Sequence, residues 1–360
     1  MENTIARTPK VTVVTTVYNS APYLTACLDS LLNQTFTDFE VLIVDDGSVD
    51  GSDRIYNQYA SRDDRIRVLR FESNHGVGYC RAASLRKARG EYIAVLDSDD
   101  IAAPHRLERQ AAWLDEHPNT VLLASHFGII DHYNNLIGAA ELALNTLEIR
   151  WRLIFGNCLG HSTVMFRRQA ALNCGGYDPA FRLGEDMDLY SRLICLGTAE
   201  MIPEQLSFWR THSHSLTKTD SVDRINAGYV QLVVLSIKRH LRTDVPQDVA
   251  AALFNHGYLP AHSLEIFTES VKLTLTAYEI FRQSSFILDY STSLGRCVFT
   301  QLMSLQARNR NEPWWPKAIC PWGRALLYPL QKGYIWLKDE GLFWQEQWLS
   351  PTDLRTLFDL

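Results

Sequence analysis

The sequence lacks the features that mark several large classes of protein. Its seven cysteines are scattered and form no C-x-x-C pair, which fits reduced thiols and argues against a disulfide framework or a zinc site. No apolar run approaches the roughly 20 residues of a spanning helix, and "MENTIARTPK" at the N-terminus has no signal-like apolar stretch. With 35 basic and 41 acidic residues, nothing indicates a nucleic-acid partner. We therefore expect a cytoplasmic protein, soluble or at most peripheral on the cytoplasmic membrane face.

The first half of the chain alternates between two periodicities. Residues 11–17 are β-branched throughout, which predicts a strand covered on both faces, and residues 40–44 predict a second buried strand. Further strands are predicted over residues 65–71, 92–96 and 120–125. Helix-like segments separate them, beginning near Pro22, at residue 78 and at Pro104. Strands that alternate with helices over short links predict a doubly wound parallel sheet.

The strand signals fade from about residue 216. Residues 222–242, 246–256 and 262–283 carry apolar side chains at helical spacing. We therefore predict two regions, an α/β domain over residues 1–218 and a mainly α-helical C-terminal region over residues 219–360.

The stretch "EYIAVLDSDD" (91–100) places three carboxylates directly after a predicted strand. Ligands of parallel sheets bind beyond the carboxyl ends of the strands. Because residues two apart in an extended chain share a face, Asp97 and Asp99 would point the same way. Such a pair suits Mg²⁺ or Mn²⁺ shared with a phosphate. Taken alone, the motif also fits a solvated acidic turn that caps a helix.

Polar motifs also follow the other predicted strands, in a fixed order. They are "TVYNS" (16–20), "DDGS" (45–48), "NHGVGYCRAA" (74–83) and "DSDD" (97–100), with "GEDMDLYSRL" (184–193) and "FWRTHSHS" (208–215) downstream. With these motifs in register over about residues 10–215, the sequence resembles the family 2 glycosyltransferases. The resemblance implies the GT-A (Rossmann-like) fold, a doubly wound mixed sheet with helices on both faces. It also implies an inverting, metal-dependent enzyme that uses a nucleoside-diphosphate sugar.

The resemblance assigns a donor site residue by residue. Asp46 would accept the imide N–H of a uracil or thymine, and the ring of Tyr18 would pack on that base. Arg81 would bind the base carbonyl or the phosphates, and Asp97 would bind the ribose or the metal. The nucleotide-sugar site implied in this way comprises Thr16, Tyr18, Asn19, Asp46, Arg81, Asp97 and Ser98.

The resemblance also implies a metal site that holds Mn²⁺ or Mg²⁺. Asp99 would be the main ligand. His212 would complete the metal or diphosphate site, with His214 as an alternative. Imidazole suits Mn²⁺ better than Mg²⁺.

The catalytic base and the acceptor side come from two downstream motifs. Leu189 and Leu193 lie one turn apart on a predicted helix, which leaves Glu185 and Asp186 at its start. Acids are favoured there by the helix dipole alone, whereas the resemblance makes Asp186 of this acidic pair the base. In "GHSTVMFRR" (160–168), the resemblance places His161 and Ser162 against the acceptor sugar.

These assignments predict an inverting transfer from a UDP-sugar to a hydroxyl of a saccharide or lipid-linked acceptor, in glycan or polysaccharide biosynthesis. A dTDP-sugar stays open because thymine presents the same imide. A sugar nucleotidyltransferase is an alternative, but "TTVYNSAPY" (15–23) lacks its Gly-rich, basic phosphate loop. A degenerate sugar-nucleotide-binding protein is another, against which the intact acidic motifs argue.

The C-terminal region is rich in tryptophan and basic residues. Six of the nine tryptophans lie in the last 47 residues, and residues 296–338 carry seven Lys or Arg but one acid, Glu312. This mixture is typical of segments at a membrane surface, which would suit a lipid-linked acceptor. The alternative is a packed helical cap with tryptophans in its core.

Overall fold

A computed structural model of the chain describes residues 8–142, 144–181, 183–212, 222–254, 264–283 and residue 301. The strands are β1 (Val11–Val17), β2 (Phe39–Asp45), β3 (Ile66–Arg70), β4 (Tyr92–Val95), β5 (Ile101–Ala102), β6 (Thr120–Ile130), β7 (Leu136–Ala140), β8 (Met165–Arg167) and β9 (Thr198–Arg210). The helices are α1 (Ala21–Leu32), α2 (Ser52–Ala60), α3 (Val77–Lys87), α4 (Arg106–Glu116), α5 (Thr146–Phe155), α6 (Arg168–Asn173), α7 (Glu185–Leu193), α8 (Val222–Leu241), α9 (Gln247–Leu253) and α10 (Leu264–Gln283), with a 3-10 turn at His161–Thr163.

The strands form one mixed sheet in the order β3-β2-β1-β4-β8-β6-β9-β5, and β7 pairs with β6. The four strands from β3 to β4 are parallel, as the strand–helix alternation predicts. Strand β8 runs antiparallel to both of its neighbours, so the expectation of a mixed sheet is confirmed. The alternation predicts only the parallel half, because β8 is three residues long and gives no periodicity of its own.

Both faces of the sheet are covered, which explains why its central strands read as continuous apolar runs. Val13 of β1 packs in the core cluster of one face with Leu28 of α1 and Leu107 of α4. Its neighbour Val14 packs in the cluster of the other face, with Leu85 of α3. The loops at the carboxyl ends of these strands are therefore anchored to a sheet that is packed on both faces.

The chain divides into two compact units, Met1–Leu153 with Asn157–Leu232, and Ile154–Gly156 with Val233–Leu360. The three segments with helical spacing correspond to α8, α9 and α10. The predicted boundary at residue 218 lies outside the described residues, as do His214 and the tryptophan-rich segment, so those expectations stay predictions. None of the described helices has the length and apolar character to cross a bilayer.

Candidate active site

The predicted donor residues gather at one edge of the sheet. Strands β2, β1 and β4 are neighbours and run parallel, so the residues after them meet at the same edge. The hydroxyls of Ser20 and Ser98 share a hydrogen bond of 2.7 Å, which joins the loops after β1 and β4. Asn19, in the left-handed region at φ 50°, joins the loops after β1 and β2, since its Oδ1 accepts the Val49 N–H at 3.0 Å.

Asp46 lies under the loop that precedes α3. It is 4% exposed, and its two oxygens accept the backbone N–H groups of His75 at 2.7 Å and Gly76 at 2.8 Å. A carboxylate has about four lone-pair sites, so capacity remains for one imide proton. Tyr18 is half exposed and its ring is open to a base, while Thr16 is half-buried at the end of β1.

Arg81 connects the aspartate loop after β4 to the start of α7. Its guanidinium donates to Asp97 Oδ1 at 2.7 Å and to the carboxylate of Glu185, which lies 104 residues away in sequence. The side chains of Arg81 and Glu185 are 9% and 3% exposed. Burial opposes ionisation of Asp97, but the adjacent Arg81 charge outweighs it and holds the pKa of Asp97 below its ordinary value. The structure thus brings two distant motifs into one ion-paired cluster.

Asp99 and His212 form the candidate metal site. Nε2 of His212 lies 2.9 Å from Oδ2 of Asp99, and the Tyr23 ring packs against the imidazole with centroids 4.6 Å apart. Nδ1 of His212 is buried and has no hydrogen-bond partner in the described part of the chain. No group of three or more acidic, His or Cys side chains gathers as metal ligands among the described residues. A carboxylate and an imidazole still fit Mn²⁺, since diphosphate oxygens and water can complete its shell.

Asp100 and Arg210 hold the backbone beside the Asp99–His212 pair. Asp100 is 1% exposed and accepts the Arg210 N–H at 2.8 Å. Burial, aided by the charges of Asp99 and Asp97, raises the pKa of Asp100 well above its ordinary value. The Arg210 guanidinium donates to the Asp99 carbonyl at 2.6 Å and lies over the Tyr23 ring. Strand β9 thereby ends against the aspartate loop, and His212 follows two residues later.

Asp186 lies in the first turn of α7 and is held at both oxygens. Oδ1 accepts the Met187 N–H at 2.7 Å, and Oδ2 accepts the side-chain amide of Asn157 at 2.9 Å. Burial raises the pKa of Asp186, and the Arg81 charge opposes that rise. Gly184, two residues before it, has φ 79°, and a Cβ there would lie 2.3 Å from a Leu232 methyl carbon, so a larger residue would strain the backbone and displace Leu232.

The two predicted acceptor-side residues lie between these groups. Nδ1 of His161 is 2.6 Å from the Tyr190 hydroxyl and 4.0 Å from Asp186 Oδ2. Burial and the nearby Arg81 charge lower the pKa of His161 to about 3, so the imidazole is neutral near pH 7. Ser162 Oγ accepts the Asp97 N–H at 3.0 Å. Contact of either residue with an acceptor stays a prediction.

Sequence reasoning missed three residues of this site. Arg210 lies inside the quoted "FWRTHSHS" and could have been found as a cation beside a metal ligand. Tyr23 and Asn157 lie among ordinary helix and loop residues, and no local signal marks them. Their roles depend on contacts with residues that are distant in sequence.

The chain is similar to known glycosyltransferases. Residues 12–174 match the family described as Glycosyl transferase family 2. Chondroitin synthase of Escherichia coli is 32% identical over 239 residues, which is 66% of this chain and 34% of that protein. The matches span between 29% and 66% of the length of the first curated relatives. Residues 12–174 therefore form a glycosyltransferase family 2 domain.

Two solved structures share the fold. TarS of S. aureus in complex with UDP-GlcNAc aligns with a TM-score of 0.59 at 19% identity, over 86% of this chain and 92% of that one. The mannosyltransferase PcManGT of Pyrobaculum calidifontis, solved with GDP-Man and Mn²⁺, aligns with a TM-score of 0.50 at 16% identity, over 91% and 83%. The expected GT-A fold is confirmed.

Proposed function

We propose that the protein is an inverting, metal-dependent glycosyltransferase that moves a sugar from a UDP-sugar to an acceptor hydroxyl. One observation carries the proposal. The Arg81 guanidinium binds Asp97 of the metal-site loop and Glu185 beside the candidate base Asp186. A donor-binding loop and a base are therefore held in one cluster at the carboxyl edge of the sheet.

The donor assignment depends on the groups after β1 and β2. Asp46 can accept one imide proton and the exposed Tyr18 ring offers a stacking face, a combination that uracil matches. The TarS structure contains UDP-GlcNAc, which supports a UDP-sugar. PcManGT was solved with GDP-Man, so the fold by itself does not select the base. A dTDP-sugar would present the same imide to Asp46.

Asp99 and His212 would hold Mn²⁺ or Mg²⁺, and support for Mn²⁺ comes from the ion solved with PcManGT. When bound, the ion supplies Lewis acidity that neutralises the diphosphate leaving group. Arg210 fixes the Asp99 carbonyl and Tyr23 packs on His212, so both ligands are oriented before the donor arrives. That orientation reduces the reorganisation needed on binding.

Asp186 is proposed as the base. It takes the proton of the acceptor hydroxyl as the oxygen attacks the anomeric carbon, while the bond from that carbon to the diphosphate oxygen breaks. A single displacement of this kind inverts the anomeric centre. A pKa raised by burial brings Asp186 closer to working pH, which improves proton transfer.

The acceptor and the location of the protein belong to the same proposal. Chondroitin synthase is a relative by sequence, which supports a saccharide acceptor in polysaccharide biosynthesis. A lipid-linked acceptor and peripheral contact at the cytoplasmic membrane face follow only from the composition of the C-terminal region. A nucleotidyltransferase and a degenerate binding protein are the alternatives, and both predict no sugar transfer.

A screen of nucleotide sugars for hydrolysis tests the proposal. UDP-, dTDP- and GDP-sugars are incubated with the protein and either Mn²⁺ or a chelator, and released nucleotide is measured. We expect release of UDP from a UDP-sugar that depends on Mn²⁺ and is abolished in Asp99→Asn. Release of pyrophosphate from UTP and a sugar 1-phosphate would instead identify a nucleotidyltransferase.

A further inference from the structure

Asn157 lies in the short link between α5 and the 3-10 turn, outside every motif that the sequence offers. Its Nδ2 donates to Asp186 Oδ2 at 2.9 Å, and its Oδ1 accepts the Leu159 N–H at 3.0 Å. The two bonds together fix the amide, because a flip would place its NH2 against the Leu159 N–H and its oxygen against a carboxylate oxygen of Asp186. Asn157 is therefore oriented as a donor to the base.

The two bonds to Asp186 come from different directions. Oδ1 accepts the Met187 N–H of its own helix turn at 2.7 Å, whereas Oδ2 is held by Asn157 from a separate segment. One bond alone would let the carboxylate rotate about its terminal torsion, which is broad for Asp. With both bonds, the plane of the carboxylate is fixed, and a carboxylate with two acceptor bonds keeps lone-pair capacity for an incoming proton.

The charges around Asp186 make a neutral donor important. Among the described residues, the titratable and charged groups that face it are Arg81 on α3, Asp97 after β4, His161 in the 3-10 turn, Tyr177 before α7, Glu185 and Tyr190 on α7, and Tyr229 on α8. His161, at 4.0 Å, is neutral at working pH. Arg81 donates to Asp97 and Glu185 instead. Asp186 is thus held by the neutral amide of Asn157 and not by the Arg81 cation, and this hydrogen bond favours the ionised carboxylate.

We propose that Asn157 is the positioning residue of the base, holding the Asp186 carboxylate in one orientation through its side-chain amide. This inference rests on the proposed function for its meaning in catalysis. Its physical core, a hydrogen bond that favours the charged form of Asp186, can be measured without any activity.

The first test is a pH-dependent mutant cycle in stability. When the pKa of an Asp carboxyl is higher in the folded state than its unfolded value of about 3.9, the protein loses stability as pH rises through the folded pKa. Without the Asn157 bond that pKa rises further. We expect Asn157→Ala to raise the unfolding equilibrium constant about tenfold more at pH 8 than at pH 4.5, equal to a loss of about 1.4 kcal/mol in unfolding free energy. In the Asp186→Asn background this extra loss disappears.

Two further variants sharpen the cycle. Asn157→Asp is nearly isosteric, keeps an acceptor for Leu159 and places a carboxylate against Asp186, so its loss at pH 8 should exceed that of Asn157→Ala. Asn173→Ala removes an amide from an exposed bond to Gln169 and should show the same small effect at both pH values. A loss for Asn157→Ala that is equal at pH 4.5 and pH 8 would overturn the inference.

The second test uses UDP-GlcNAc hydrolysis with Mn²⁺. The acid limb of kcat should move up by about one pH unit in Asn157→Ala, with UDP affinity unchanged by calorimetry, because the donor site is separate. An unmoved limb in an active variant would contradict a positioning role. Wild-type protein that cleaves no nucleotide sugar would refute the proposed function, while the stability cycle would still decide whether Asn157 controls Asp186.

Discussion

Replacing Arg81 with methionine removes the cation that joins the two halves of the site. Methionine keeps most of the length and the apolar stem, so the main loss is the guanidinium. The Glu185 side chain, 3% exposed, would be left as a buried carboxylate without its ion pair. Asp97 is 32% exposed at its side chain, so water can partly solvate it.

Breaking a buried ion pair by removing one partner costs about 3–5 kcal/mol. Because one of the two partners is partly solvated, we expect the lower end, about 3 kcal/mol of unfolding free energy. With a urea m-value of about 3 kcal/mol/M, the midpoint would fall by about 1 M. Adding Glu185→Gln should restore part of the loss, since it removes the unpaired charge.

Urea unfolding at pH 7, followed by tryptophan fluorescence, measures the effect. The control is Arg109→Met, because Arg109 forms an exposed pair with Glu204, with side chains 54% and 40% exposed. Such surface pairs contribute about 0–1 kcal/mol. If Arg81→Met cost no more than Arg109→Met, or if Glu185→Gln deepened its loss, the bridge would not stabilise the site as argued.

Three other predictions concern the base, the site for the nucleotide base and the C-terminal region. Asp186→Asn should lose about two to four decades of transfer while UDP binding is kept; near wild-type transfer would assign the base to another group. Asp46→Asn should weaken UDP binding and cost about 1–3 kcal/mol of stability, because one of the N–H groups of His75 and Gly76 loses its acceptor; calorimetry and urea unfolding would contradict this by showing neither change. The full chain should co-sediment with anionic liposomes at low salt and a 1–295 truncation should not; equal recovery of both in the supernatant would refute membrane contact.

The parallel half of the fold could be predicted because its central strands, β1, β2 and β4, are buried on both faces. Residues 11–17 are β-branched throughout and form β1, Val11–Val17. In the helix predicted after Pro104, Leu107, Ala111 and Leu114 recur at helical spacing and are buried in α4. Strands β5 and β8 are two and three residues long. Segments this short carry too few side chains to show a period, and the mixed character of the sheet was implied only by the resemblance.

The site was predictable where residues follow a strand and unpredictable where they meet across the fold. Asp97 and Asp99 lie after β4, as the strand-end rule requires. Their neighbour Asp100 looks equivalent in sequence but is buried and holds the Arg210 backbone. The assignment of Arg81 to the donor did not foresee that its guanidinium binds two protein carboxylates. Such pairings depend on tertiary geometry that no local pattern encodes.

A calorimetric titration of UDP tests the central claim, a donor site completed by a metal at Asp99. UDP is titrated into wild type, Asp99→Asn and Asp186→Asn, each with Mn²⁺ and with a chelator. The account predicts that Mn²⁺ strengthens binding to wild type and to Asp186→Asn, and that Asp99→Asn loses this gain. Equal UDP affinity with and without Mn²⁺ in wild type, or an undiminished gain in Asp99→Asn, would contradict it.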